Sequence, residues 1–417
     1  MNDPRPLPPV SEPKVWKTQG TSRVPFWLYT DEEIYQRELE RLFYGPHWSY
    51  VGLSCEIPNA GDFKRTWIGE RNVLMVRDEN GAVNVIENRC AHRGVQFCRE
   101  ATGNRKEFVC PYHQWNYDLK GNLLGVPYMR GIKGKGGMPA DFKRDEHGLR
   151  KLGVTERNGV VFASFDPEVE DFETFLGPTM LKYFDRVFNG RQLTVLGYNR
   201  QRVPGNWKLI HENLKDCYHP GLLHTWFVNF GLWRADNECE NVMDEQRRHS
   251  AMVTVRNQGG KGEATAGVAS FREDLKLNDG RFLDVEDETW WNGPSAVIQS
   301  LFPSLIIQQQ INSVAMRQVI PRGPRNFDYI WTHIGFEEDT ADMTQRRLYQ
   351  ANLFGPAGFV SGDDSEVMGM VQDNMHTDKD GLHLVQLGGR DVEDTDTHVS
   401  ETLIRGMYHY YRKVMEI

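Results

Sequence analysis

Cysteine is scarce in this chain: six in 417 residues, at Cys55, Cys90, Cys98, Cys110, Cys217 and Cys239. That is too sparse for a disulfide scaffold, and in a reducing compartment cysteines with histidine neighbours more often hold metal. Positive charge is also in deficit, with 49 Lys and Arg against 58 Asp and Glu. No basic stripe is available to neutralise phosphates, which argues against a nucleic-acid surface. No apolar run approaches the ~20 residues a membrane helix needs, and the opening MNDPRPLPPVSEPK lacks the apolar segment of a secretion signal. A cytoplasmic protein is expected. There is no internal repeat and no Gly-x-Gly-x-x-Gly between a strand and a helix, so neither nicotinamide nor flavin should bind this chain; KGKGG at 133–137 reads as a loop.

Core material is ample. Hydrophobic residues make up 39%, with 21 Phe, 15 Tyr and 11 Trp, enough to fill packed interiors. A chain of this length divides naturally into two domains, since single cores stop growing at a few hundred residues. Residues 1–25, rich in proline and polar groups, are expected to form an extended arm on the surface or on a partner subunit. Residues 31–46, DEEIYQRELERLFYGP, space Ile34, Leu39 and Leu42 along one helical face and stop at Gly45-Pro46; the segment 26–47 is assigned to pack with the second domain. From 48 to 166, alternating runs such as RNVLMVRD, AVNVIEN and GVVFASF are separated by DENG and DLKGN, which predicts a small all-β domain. From 167 to 417, helical stretches (FETFLGPTMLKYFDRVF, NWKLIHENLKDCYH, HVSETLIRGMYHYYRKVM) surround strands (SLIIQQQINSVAMRQVI, FDYIWTHIGF). That predicts an α+β domain in which helices cover a mainly antiparallel sheet.

Within the β domain, Cys90-Ala-His92 is followed after 17 residues by Cys110-Pro-Tyr-His113. Each loop supplies one thiolate and one imidazole. A two-iron, two-sulfur cluster with two cysteines on one iron and two histidines on the other needs such a paired supply. A structural zinc ion could use the same four ligands, although zinc motifs generally group like ligands together and here they alternate. Cys98 lies outside the pattern and is read as a small buried hydrophobe. The loops CAHRG and CPYHQWNYDLKG resemble the two signature loops of the Rieske ferredoxin family. That resemblance implies Cys90 and Cys110 on one iron of a [2Fe-2S] cluster and His92 and His113 on the other, with the histidines near the domain tip. Arg93, Gly94, Trp115 and Tyr117 then serve as packing and supporting residues.

In the second domain, NWKLIHENLKDCYHPGLLH gathers Glu212, Asn213, Asp216, His219 and His224. Two histidines and one carboxylate with open positions form the triad of non-heme Fe(II) oxygenases. Residues five apart on a regular helix point ~140° from each other, so the histidines converge only if the helix breaks, and Pro220-Gly221 is the expected break. The residues alone leave open which carboxylate completes the set. The string is similar to the catalytic-iron motif of Rieske ring-hydroxylating oxygenase large subunits: Glu-Asn, then Asp-x-Tyr-His, then a further His. By that resemblance His219 and His224 are ligands of a mononuclear Fe(II). Asp216 is then a hydrogen-bonded electron-transfer bridge between His113 of one subunit and His219 of the next, in a trimer. The same resemblance aligns GPAGFVSGDDSEVM with the third ligand, Asp364, with Asp363 as the alternative; read alone, either acid could be a helix-start carboxylate facing the dipole.

The resemblance runs from residue 25 to the C terminus and implies the reaction. It describes an oxygenase large subunit that hydroxylates a small aromatic acid with O2. Its electrons come from NADH only indirectly, through a separate ferredoxin reductase and ferredoxin, and a small beta subunit completes an α3β3 assembly. The stretches TSRVPFWLYTDEEIY, FYGPHWSYVGL and NLKDCYHPGLLHTWF are most similar to the branch acting on salicylate. That implies monohydroxylation para to the phenol to give gentisate; the alternative is ring dioxygenation of the anthranilate or benzoate kind, forming a cis-diol or catechol. Asn213 is placed with Asp216 in the catalytic machinery, and Leu223, Phe227, Gln308, Gln310 and Met316 are expected to line the pocket, where an aromatic carboxylate needs amide or charged donors to replace its hydration. An electron carrier, the competing class, would have no use for His219, His224 and Asp364.

Overall fold

The alternating runs between Ser49 and Ser164 form strands joined by turns. The computed structural model describes residues 14–18, 20–234, 237–255, 277–288, 295–378 and 380–417. One antiparallel sheet runs in the order Val83–Glu87, Arg71–Arg77, Asp62–Ile68, Thr102–Asn104. A smaller one joins Phe108–Val109, Asn116–Tyr117 and Leu123–Gly125. Their inward residues, among them Phe63, Leu74, Ile86 and Phe108, form one cluster that also takes in Cys90, Cys98 and Cys110. The strand Val160–Ser164 is buried throughout. Because strand side chains alternate, its Val161 and Ala163 join one core while Val160 and Phe162 join another, and so it ties the β part to the rest.

The second half is built on a seven-stranded antiparallel sheet in the order Leu193–Val203, Phe327–Phe336, Ser313–Pro321, Leu305–Gln310, Ala296–Leu301, Ser250–Val255, Glu238–Met243. One face packs on the helix Phe172–Val187 through residues such as Val253, Val314 and Met316. The other packs on the helices Trp207–Asn213 and Val360–Thr377 through Ala315, Val319 and Trp331. The expected α+β architecture is therefore the observed one. Among the described residues no helix is long and apolar enough to cross a membrane.

Three local readings differ. The segment from Lys14 to Pro25 does not lie loose on a surface: Trp16 and Val24 are buried, and Arg23–Pro25 pairs with Leu382–Leu384 of the chain's own C-terminal half. Residues 1–13 of the expected arm lie outside the described residues. The helix over 31–46 begins at Glu32, capped by the Asp31 carboxylate accepting from the Ile34 amide at 3.1 Å, and widens to a π turn at Leu39–Phe43 in which the Tyr44 amide reaches the Leu39 carbonyl at 2.8 Å. The helix expected over 206–219 ends at Asn213. Beyond it the Asp216 carboxylate accepts from the amides of Tyr218 and His219 at 3.2 and 3.1 Å, a local bond that competes with helix continuation.

The N-terminal helix is fastened to the helix Trp207–Asn213 by a fully buried ion pair. Lys208 Nζ donates to Glu38 Oε1 at 2.6 Å, both side chains are 0% exposed, and Glu38 also accepts from the Trp207 indole and the Tyr411 hydroxyl. Glu38→Leu leaves the ammonium buried without its counter-charge, and is expected to cost about 3–5 kcal/mol, read as a lower denaturant midpoint. Adding Lys208→Met should recover most of the loss; no recovery would show that the pair is not what holds the helices together.

Candidate metal centres and active site

The two Cys/His loops close in the same way. The Cys90 amide donates to the Val95 carbonyl at 2.9 Å and the Gly94 amide returns to the Cys90 carbonyl at 2.9 Å; the Cys110 amide donates to Trp115 at 2.8 Å and Gln114 returns to Cys110 at 2.9 Å. Both returning residues sit in the left-handed region, Gly94 at φ 71° and Gln114 at φ 55°. Each cysteine is thereby turned inward, at 2% and 1% exposure, while His92 is exposed and His113 half-buried. The imidazoles meet edge to face with ring centres 4.6 Å apart, and Trp115 stacks on His92 at 4.8 Å. The Tyr117 hydroxyl lies 3.2 Å from Cys90 Sγ and accepts from the Ala91 amide. Burial, followed by the adjacent Cys90, holds the Cys110 thiol above its usual range. Two thiols inside and two imidazoles at the tip is a donor set that fits a cluster with differently ligated irons. Cys98 contacts Glu100 instead and stays outside the set.

In the second constellation, Pro220 opens a short helix, Pro220–Leu223, rather than breaking one. The break comes at His224, whose ψ of 64° is not helical and which starts the next helix, Thr225–Asn229. Gly221 serves a different end: a Cβ there would lie 2.0 Å from the Trp233 ring. His219 Nδ1 is 2.9 Å from the Asp216 carbonyl oxygen, which turns Nε2 toward Asp364 Oδ1 at 3.7 Å. His224 Nε2 lies 3.1 Å from the same oxygen. Ligand atoms of His219, His224 and Asp364 all fall within 4.8 Å of one another, close enough to converge on one ion. Asp363 is not on that side: its carboxylate meets His224 Nδ1 at 3.1 Å, the place of a residue that orients a ligand. Asn213 donates to Asp364 at 3.1 Å. Burial alone would raise the Asp364 carboxyl, but the His224 hydrogen bond and the two imidazoles hold it below its usual range.

The triad opens on a cavity of about 80 Å3, a concave, mainly apolar site with a few polar groups of the kind small molecules occupy. Phe227, Gln308 and Gln310 line it; Leu223, Met316 and Asn213 do not. Met316 points to the opposite face of its strand, where it packs with Val314 and Ile334, while its neighbour Arg317 faces the cavity. Leu223 turns partly to the outside of its short helix. Sequence reasoning missed Arg317, Trp233, Met252 and His398 at this wall. Arg317 is 2% exposed, lies over the Trp331 ring at 4.0 Å and bonds the Tyr329 hydroxyl at 3.3 Å, and has no ion-pair partner among the described residues. Only the strand's two-residue period hinted at it.

This fold and these two constellations define an oxygenase with a Rieske domain ahead of a catalytic domain. The family model described as Rieske [2Fe-2S] domain matches residues 47–135, and the one described as ring hydroxylating alpha subunit (catalytic domain) matches residues 190–417. The chain belongs to the ring-hydroxylating oxygenase alpha subunits. It is therefore an enzyme with a [2Fe-2S] cluster and a mononuclear iron, fed through redox partners, and structural zinc in the first site is set aside. It is 62% identical over the whole length of both chains to the salicylate 5-hydroxylase large oxygenase component of a Ralstonia species. With the anthranilate 1,2-dioxygenase large subunit of Burkholderia cepacia it shares 41% identity over 94% of this chain and 93% of that one. The fold is shared with naphthalene 1,2-dioxygenase of a Rhodococcus species bound to indole (TM-score 0.79, 23% identity, 94% of each chain).

Proposed function

We propose that this chain is the large subunit of a cytoplasmic salicylate 5-hydroxylase that converts salicylate to gentisate. The single observation that carries the reading is the 62% identity across the full length of the Ralstonia protein; ring dioxygenation of anthranilate, the alternative, rests on 41%. Residues 48–166 form the Rieske domain, with Cys90, Cys110, His92 and His113 holding the cluster. Residues 167–417 form the catalytic domain, with His219, His224 and Asp364 holding the iron. When bound, the two centres supply one-electron transfer and dioxygen activation. The chain's own residues do the rest. Asn213 and Asp363 orient Asp364 and His224, the apolar wall around Phe227 and Met252 keeps water out, and Gln308, Gln310 and the buried Arg317 charge favour an anionic ring substituent. Asp216 bridges His113 of one subunit to His219 of the next in an α3β3 assembly with small beta subunits, supplied by a ferredoxin and its NADH-dependent reductase.

The test is product analysis by chromatography. Purified enzyme with redox partners, offered salicylate, anthranilate and benzoate separately, is expected to yield gentisate from salicylate and little from the others. No gentisate would end the reading.

A further inference from the structure

His398 lies in the loop ahead of the C-terminal helix Thr402–Met415 and lines the same cavity as the triad. It is 3% exposed. Its ring nitrogens have no hydrogen-bond partner among the described residues, and Nε2 is sealed from solvent. Buried polar groups left unpaired are costly, so an imidazole without a bond at a cavity wall is placed to gain one from a ligand. The ring is held in place: it lies 5.6 Å from Trp233 at 52°, and Trp233 is wedged against Gly221. Burial pushes the imidazole down to about 4, so it is neutral, with one donor and one acceptor nitrogen. Among the described residues no bond or ring contact joins it to His219, His224 or Asp364.

Gln308, Gln310 and Arg317 on the same cavity wall suit a carboxylate; a neutral imidazole suits a hydroxyl. In hydroxylation para to a phenol, the phenolic oxygen sits at the opposite end of the ring from the reacting carbon. A group that recognises it belongs away from the triad. We propose that His398 is a specificity-determining residue whose Nδ1–H, on the side of the ring that is not sealed, donates to the hydroxyl beside the substrate's carboxylate, so that the pocket distinguishes a 2-hydroxybenzoate from benzoate. This rests on the salicylate reading above.

The test compares salicylate and benzoate as ligands of the holoenzyme by calorimetry, and as substrates by steady-state kinetics with the redox partners. His398→Phe keeps a ring against Trp233 and removes both nitrogens. Its affinity and kcat/KM for salicylate are expected to fall about tenfold, while benzoate changes by less than about twofold. His398→Gln, which still donates, should recover part of the difference and serves as the readout if the Phe variant does not fold; unchanged cluster absorption reports folding. Equal losses for both ligands, or none, overturn the proposal, as does wild-type enzyme that binds the two equally. Wild-type enzyme that binds salicylate preferentially but makes no gentisate overturns the reaction proposed above and leaves this assignment standing.

Discussion

His219→Ala and Asp364→Ala are each expected to abolish hydroxylation while leaving the visible absorption of the [2Fe-2S] cluster unchanged. The two residues supply atoms to the same point, His219 Nε2 and Asp364 Oδ1 being 3.7 Å apart, while Cys90 and Cys110 belong to a different core. Changing a group that merely orients a metal ligand costs about 10–100-fold in affinity or activity; deleting a ligand should exceed that, so residual product is expected below about 1% of wild type. Asp363→Ala removes only the contact to His224 Nδ1 and belongs in the milder range. Iron content and product formation together check this. If His219→Ala retained hydroxylation, the proposed mononuclear site would be wrong.

Asp216→Asn should have a comparably large effect by another route. One carboxylate oxygen, Oδ1, is already used inside the chain, accepting from Tyr218 and His219. Among the described residues nothing bonds the other, and the side chain is 21% exposed. Asparagine keeps the first acceptor and so the loop, but loses the anionic oxygen that would meet an imidazole of a neighbouring subunit. Both metal contents and the reduction of the cluster by its partner should stay normal. Reoxidation of the reduced cluster in the presence of substrate and O2 should slow by about 100-fold, followed by rapid-mixing absorption. Reoxidation at the wild-type rate would remove Asp216 from the electron path.

The candidate ligands could be picked out because ligand chemistry narrows the residue types and short loops carry them, and the fold brings His219, His224 and Asp364 together. The convergence of His219 and His224 was foreseen, but its cause was misplaced: proline is well accommodated at the first position of a helix, and the chain turns at His224 instead. The residues alone do not separate Asp363 from Asp364, both near a helix start; only the family resemblance put Asp364 first. In the fold they lie about 100° apart around the helix, and the side chains are 42% and 6% exposed. The pocket was the least legible part. A strand with Met316 and Arg317 side by side must send one each way, and which way depends on a register fixed by pairing with distant strands. His398 reaches the cavity from a loop near the far end of the chain, with no motif to announce it.

The joint between Glu38 and Lys208 bears on whether the halves can be separated. Tyr29 and Tyr408, from near opposite ends of the chain, both donate to Glu212, one residue before Asn213. A fragment starting at the nominal boundary of 167 would strip the Lys208 ammonium and the Trp207 indole of Glu38, and the Glu212 carboxylate of one of its two tyrosine donors. The C-terminal half is thus continuous in sequence but braced from outside it: part of its support comes from residues that precede the β domain, and the order in which the chain is written differs from the order in which it is held.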